Sequence, residues 1–243
     1  FMSCSARIPI YLLLAGTFFA ADASLVMIGL YVLGVVLAVV TARLMRRFMF
    51  PVDETPFVME LPPYRLPTWK TTLTHMWDKC AQYLRKMGGM ILIASMVVWF
   101  LSYYPRSEEG GTTAHYENSY LGRLGQSCAP IFSPLGLNWK AGVAILSGVS
   151  AKEIVVSTLG VLYSQDATAD DASLAQTLRE SGDFTPASAL AFLVFVLLYF
   201  PCIATIVAVR NEAGRGWALA SMVYSTAVAW FVAWIVYHIA LLL

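Results

Sequence analysis

The 243-residue chain is 58% hydrophobic and only 13% charged, whereas soluble globular proteins carry about 25% charged residues. That deficit and several long uncharged runs exclude an ordinary soluble domain and place the chain in a membrane. A formal net charge of +1, with no basic patch interleaved with aromatics, excludes nucleic acid as a partner held by bulk electrostatics.

The chain opens FMSCSARIPIY, with neither a basic n-region nor a cleavage site, so no signal peptide is read there. The abrupt start reads as a piece of a longer polypeptide. Ile8 to Ala21 is apolar over 14 residues, short of the ~20 that cross a bilayer. Ala23 to Ala42 supplies a first span, with Asp22 as its N-cap and the basic cluster RLMRR behind it. Pro62 to Lys86 (PPYRLPTWKTTLTHMWDKCAQYLRK) mixes Trp, Leu and Met with Lys and Arg at helical spacing. It reads as an amphipathic helix in the cytoplasmic interface, or as a connector anchoring the next span. Met87 to Tyr104 is that second span, closed by Trp99, Tyr103 and Tyr104 as an aromatic belt.

Beyond it, Leu121 to Leu137 contains CAPIFSPLGL, whose prolines make a poor regular helix. Ala141 to Gln165 is long enough to span but is cut by Lys152 and Glu153, and Ala187 to Val209 is cut by Pro201. Freed backbone at such breaks is tolerated in a membrane only when buried in protein or lining a cavity. Gly216 to Tyr237, with Trp217, Trp230 and Trp234, is a third span.

Arg43, Arg46, Arg47, Lys70, Lys79, Arg85 and Lys86 make the segment between the first two spans cytoplasmic, and Arg210 and Arg215 mark another inner loop. Asp166, Asp170, Asp171, Glu180 and Asp183 against Arg179 make 164–186 external. The loop after Tyr104 is external as well, so the chain between the two crosses an even number of times. Either Trp139 to Gln165 is a re-entrant hairpin, which we favour, or Leu121 to Leu137 crosses too. The fold class expected is therefore an all-α polytopic membrane protein with broken or re-entrant gate-type segments. Its units are 1–61 (first gate-type segment, span, connector), 62–104 (interfacial helix and span), 105–186 (external loops around the re-entrant segment) and 187–243 (broken helix and last span).

Lys152 and Glu153 stand side by side in SGVSAKEIVVS. On a helix, adjacent side chains point about 100° apart, so each charge needs its own partner. Ser150 and Ser157 flank Glu153 at helical spacing and give the carboxylate a stripe of oxygens. Gly148, Val149, Val155 and Val156 offer Lys152 nothing comparable. An ionisable group at the bilayer centre costs at least ~2.5–3.5 kcal/mol and points to function by default. The plainer reading puts both charges in the wet turn of the hairpin. A catalytic reading finds no nucleophile or imidazole in helical reach of Lys152, and no G-x-S-x-G, H-E-x-x-H or S-x-x-K.

Cys202 follows Pro201 in LLYFPCIATIVAVR. A helix restarting there leaves carbonyls such as that of Leu197 free and puts Cys202 and Thr205 on one face. Cys4 lies before Pro9, which is expected to free the carbonyl of Ser5. Measured from Asp22 and Asp183, Cys4 and Cys202 lie 18 and 19 residues in, roughly 27–28 Å of helical path, and Glu153 lies roughly 18 Å from Gln165. With tilt and breaks the three can meet. Soft thiolates with a carboxylate suit a transition-metal dication better than Mg²⁺ or Ca²⁺, and broken helices around a midplane site are transporter architecture. Cys80 and Cys128 look incidental, and His75, His115 and His238 form no ligand set.

The blocks FMSCSARIPIYLLLAGTFF, FVMELPPYRLPTWKTTLTHMWDKCAQYLRKMGGMIL, GVAILSGVSAKEIVVSTLGVLY and LLYFPCIATIVAVRNEAG together resemble the FeoB family of bacterial ferrous iron transporters. The resemblance covers most of the chain apart from the loops at about 105–118 and 164–186. It implies the C-terminal half of the membrane domain of an inner-membrane, multi-pass Fe(II) importer. The family's cytoplasmic N-terminal GTPase domain, with its GTP and Mg²⁺, would lie outside this sequence, which holds no G-x-x-x-x-G-K-[ST]. As implied ligands of the Fe(II) path it puts forward Cys4, Cys202 and Glu153; Ser150, Ser157 and Thr205 are our second choices, able to supply hydroxyl oxygen. Lys152, Pro9 and Pro201 take gating or structural roles. Expected partners are the lipid bilayer, the GTPase domain and first membrane segments, a second copy of the chain, and small cytoplasmic accessory proteins. The chain itself is expected not to be an enzyme. The rivals are a carrier for an organic solute such as a nucleoside on the same frame, a membrane enzyme using Glu153 or Lys152, and a scaffold half without metal ligands.

Overall fold

The computed structural model describes residues 4–48, 67–105, 117–149, 152–163 and 171–242. Among these residues there is helix and no strand. A 3₁₀ turn, Ser5–Arg7, leads into α1 (Ile8–Phe18); α2 (Ala23–Phe48), α3 (Trp69–Tyr103) and α4 (Tyr120–Phe132) follow. Then come α5 (Trp139–Ser147), α6 (Ile154–Tyr163), α7 (Asp171–Glu180), α8 (Pro186–Leu198), α9 (Ile203–Ala213) and α10 (Arg215–Leu242). By length and composition, Ala23–Phe48, Pro186–Ala213 and Arg215–Leu242 can cross a membrane, and Leu92–Tyr103 is a shorter apolar stretch within α3. An all-α polytopic membrane protein is what these helices make.

The centre of the molecule is α8. Apart from Leu190, which is half-buried, every residue from Ala187 to Tyr199 is buried, as expected of a helix that is apolar all round. A capping box starts it: Ser188 N–H donates to Thr185 Oγ1 (3.1 Å) and Thr185 N–H to Ser188 Oγ (2.8 Å). Pro186 at the first helical position gives up a hydrogen bond the helix did not need. Around α8 pack α10, α1 and α2. The buried residues of α10 are Ala218, Ser225, Ala229 and Ala233. Such small residues let two backbones approach, which matters because packing rather than transfer from water drives helices together in lipid.

On one side of α8, α5 and α6 form an antiparallel hairpin. At its open end Asn138 caps α5 through Ala141 N–H (2.9 Å) and donates to the Tyr163 hydroxyl (3.0 Å). Lys140 pairs with Asp183 at 3.2 Å and lies over the Tyr163 ring at 4.5 Å. Near the closed end, the Ser147 and Thr158 hydroxyls bond across at 2.9 Å. At the open level α7 also closes over α1, with the Arg179 guanidinium on the Thr17 carbonyl, a cation at a helix C-terminus.

Three local expectations are corrected. CAPIFSPLGL, expected to make a poor regular helix, stays α-helical through Pro130 to Phe132 and only then passes into a 3₁₀ turn, Ser133–Leu135. Pro130 sits in the last turn, where it forgoes a single backbone bond, and Ser119 caps the start through Gly122 N–H (3.1 Å). The amphipathic segment and the second span are one continuous helix, α3, from Trp69 on; no proline separates them, and Pro62 to Leu66 lie outside the described residues. The 164–186 segment is not all loop, since Leu174 and Leu178, one helical turn apart and both buried, seat α7.

Candidate functional site

Three interruptions of helix come together. The first is the chain start, where Cys4 is the extended residue capping the 3₁₀ turn before α1. The expectation that Pro9 frees the Ser5 carbonyl is corrected here, because Ile8 N–H donates to it. A 3₁₀ turn reaches one residue less far than an α-turn, so the donor falls just before the proline. The second interruption is Tyr199–Cys202, between α8 and α9. Tyr199 N–H closes α8 on the Phe195 carbonyl (2.8 Å), and Ile206 N–H opens α9 on the Cys202 carbonyl (3.1 Å). Pro201 between them cannot donate and holds Phe200 out of the helical region. Cys202 is extended at the N-cap of α9, and its sulfur lies 3.4 Å from Thr205 Oγ1. The third is the tip of the α5–α6 hairpin, which carries Lys152 and Glu153.

At that tip the two charges part company. Lys152 is 5% exposed and Glu153 is exposed, as are Ser157 and Thr205; Ser150 lies outside the described residues. Lys152 Nζ rests 4.0 Å above the centre of the Tyr199 ring and has no hydrogen-bond partner among the described residues. Arg7, Cys4 and Cys202 are its electrostatic neighbours. The fold thus brings Cys4, Cys202 and Lys152 into one neighbourhood and turns Glu153 to the hairpin's exposed face, with Ser157 one turn further along α6.

Sequence reasoning missed Arg7, Tyr11 and Tyr199. Arg7 is 6% exposed and stands beside the Tyr11 hydroxyl. Tyr199 stacks on Phe195 at 5.6 Å, and its hydroxyl is packed against Gly148. The available signal was spacing: Arg7 is three residues after Cys4, and Tyr199 three before Cys202.

An isolated ammonium in a low-dielectric interior is costly. Here the ring face of Tyr199 offsets part of that cost, an interaction that strengthens when water is excluded. The two sulfurs are the soft donors in this neighbourhood, and among the described residues no three His, Cys, Asp or Glu side chains gather to hold an ion. A groove of about 640 Å³ flanks the tip, lined by residues such as Leu146, Val149, Tyr199, Phe200 and Trp230; its walls suit hydrocarbon rather than ions. His75 is exposed on α3, His238 bonds the Trp234 carbonyl (2.9 Å) on α10, and His115 lies outside the described residues. Cys80 is exposed and Cys128 half-buried, both as free thiols.

A family model described as "Nucleoside recognition" matches residues 84–216, more than half of the chain. A second, described as the C terminus of ferrous iron transport protein B, matches residues 27–79. The chain is 47% identical, over 99% of its length, to a protein of Porphyromonas gingivalis named Fe(2+) transport protein A/Fe(2+) transporter FeoB fusion protein. It is 38% identical to the Fe(2+) transporter FeoB of Campylobacter jejuni over 100% of its length, and 38% identical to that of Methanocaldococcus jannaschii over 97%. These alignments cover 33%, 41% and 35% of the three relatives, so the chain spans well under half of their length. No solved structure matches.

Proposed function

Because the chain belongs to the FeoB family, we propose that it is the membrane-permeation part of an Fe(II) importer of the bacterial inner membrane. In this reading Cys4 and Cys202 are the sulfur ligands of the path, and the ion exchanges part of its water for them. Glu153 and Ser157, on the exposed face of the hairpin, supply oxygen beside the sulfurs, with Thr205 and Ser150 as further hydroxyls. The α5–α6 hairpin re-enters from outside, so that its tip and the two cysteines stand at one depth. Helices of 9 to 13 residues reach roughly 14–20 Å down from the outer ends, about the middle of a 30 Å hydrocarbon core. The chain does no chemistry of its own; a GTPase domain elsewhere in the longer protein, binding GTP and Mg²⁺, gates it.

The observation that carries this reading is that two cysteines almost 200 residues apart, each capping a helix at a break, share Lys152 as an electrostatic neighbour. Anaerobic Fe²⁺ titration in detergent tests it, comparing wild type with Cys4→Ser/Cys202→Ser and with Glu153→Gln. Saturable binding that is lost in both variants supports one shared site. Binding unchanged in the double cysteine variant moves the path elsewhere.

The match to a family described as "Nucleoside recognition" favours a second reading, a carrier for an organic solute on the same broken-helix frame. In that case replacing both cysteines leaves transport intact.

A further inference from the structure

The basic half of α3 is helix without a visible support. Every residue from 69 to 80 is exposed, more than three turns that no other described element covers. Helices this short are marginal in water and draw most of their stability from packing an apolar face. Here such a face stands ready. Trp69, Leu73, Met76, Trp77, Cys80 and Leu84 fall within an arc of roughly 100° on the helix, and all six are exposed, Trp69 at 78% and Trp77 at 72%. On the same helical count Lys70 and Lys79 flank that arc on its two sides, Arg85 stands beyond Lys70, and Asp78 lies opposite the arc. None of the three cations is in an ion pair among the described residues.

At 35 residues, α3 is roughly 52 Å long. That exceeds the ~30 Å hydrocarbon core, so the basic end stands outside it, on the cytoplasmic side by the positive-inside rule. Between this end and the apolar stretch Leu92–Tyr103 lie Gly88 and Gly89. Glycine weakens a helix interior relative to alanine, and no close approach requires either one, since a Cβ on each would meet nothing within 4 Å. Paired glycines are among the few places where helices bend sharply.

We propose that residues 69–85 form a docking arm for anionic phospholipid. Bending at Gly88 and Gly89, the arm lays its apolar face into the cytoplasmic leaflet and sets Lys70 and Lys79 among the headgroup phosphates. A helix lying in the interface buries such a face ~5–10 Å deep, and Trp69 and Trp77 are the residue type that settles at headgroup level. The leaflet's negative surface potential attracts Lys and Arg within a Debye length. The placement of the charges favours lipid over protein as the occupant. A plane of phosphates offers an anion on both sides of a flat-lying helix at once, whereas a protein surface would need carboxylates matched to each lysine. The inference does not depend on what the path carries.

The test reads the rate at which a neutral PEG-maleimide alkylates Cys80 in the intact protein. The protein is reconstituted in vesicles of phosphatidylcholine alone or with a third phosphatidylglycerol, and mass spectrometry of the Cys80 peptide separates it from the other cysteines. The expected result is a rate lower by about tenfold or more with phosphatidylglycerol. Asp78→Cys, on the far face, should react alike in both vesicles. Lys70→Gln/Lys79→Gln should abolish the difference, and high salt should weaken it. Gly88→Ala/Gly89→Ala, with room for both methyl groups, should keep Cys80 reactive in both. All these substitutions fall on exposed positions, where folding tolerates change. Equal reactivity of wild-type Cys80 in the two vesicles overturns the inference. So does protection that persists in Lys70→Gln/Lys79→Gln, which would mean that the face is covered by protein, a second copy or another domain.

Discussion

Adding one carbon at Gly148 should disturb the hairpin tip more than any nearby change of similar size. Gly148 ends α5 with φ −67° and ψ −5°, a right-handed conformation that alanine adopts without strain. The backbone therefore favours Gly148→Ala, by about 0.4–1 kcal/mol through the unfolded chain. The packing opposes it. A Cβ there would lie 2.3 Å from Val155 Cγ2 and 2.6 Å from the Tyr199 hydroxyl, and overpacking of this kind costs about 1–3 kcal/mol. Tyr199 has little room to yield because it stacks on Phe195. The net is a loss of about 1–2 kcal/mol, or a drop in melting temperature of about 2–8 °C on the scale of a chain this long. Gly142→Ala, in the same helix, is the control: its Cβ meets Phe132 at 3.4 Å, an ordinary contact, so it should be neutral or slightly stabilising. Thermal unfolding of both variants in detergent, with Fe²⁺ binding measured alongside, gives the comparison. If Gly148→Ala melts at or above the wild type and above Gly142→Ala, the tip is not a close-packed seat for Tyr199 and Lys152.

Thr185→Ala removes one half of the capping box at α8 and should cost about 1 kcal/mol in the same melt, with Thr185→Ser restoring most of it. Phe192→Ala empties a fully buried site and should cost about 3–5 kcal/mol; a change below 1 kcal/mol would show that α8 is not the packed centre. Ser147→Ala breaks the buried hydroxyl pair with Thr158, for a loss of about 1 kcal/mol that Ser147→Thr should partly recover. Asp183→Asn weakens the partly exposed pair with Lys140 and should shift the melt by no more than about 1 kcal/mol.

Periodicity and length made the long apolar helices legible, and the proline rule made the α8–α9 break legible, because both depend on residues a few positions apart. The helix start at Ala23 follows from the same local signals, and the last helix starts at Arg215, one residue before the Gly216 read from the sequence. Pro130 shows where the proline rule misleads: identical chemistry breaks the chain at Pro201 but not in the last turn of α4, where the following residues need not remain helical. The Pro9 argument failed for a related reason, since a 3₁₀ turn supplied a donor that an α-helical count does not foresee. Ser150 to Ser157 was read as one helix, which put Glu153 at the centre of an oxygen stripe. The chain turns at Lys152 and Glu153 before α6 starts at Ile154, so the face assigned by a 100° step does not hold across it. Arg7, Tyr11 and Tyr199 belong to elements separated by almost 190 residues, and no local pattern joins them to Lys152.

The outcome at the tip, lysine in and glutamate out, has a physical basis in the reach and appetite of the two side chains. A lysine can bury four methylenes along apolar surface and deliver its charge to a chosen point, and an aromatic face is an adequate partner for it when nothing better is near. A carboxylate has no such option: it accepts hydrogen bonds from donors, and an aromatic face, negative at its centre, repels it. At a tip surrounded by Tyr199, Val155 and Gly148, the lysine is therefore the charge that can be buried, and the adjacent glutamate must face water, another protein surface or cargo. Exchanging the two residues as Lys152→Glu/Glu153→Lys conserves net charge and composition yet places the carboxylate over the Tyr199 ring. The exchanged protein should lose stability and Fe²⁺ binding together, whereas a pair that served only to neutralise each other would tolerate the swap.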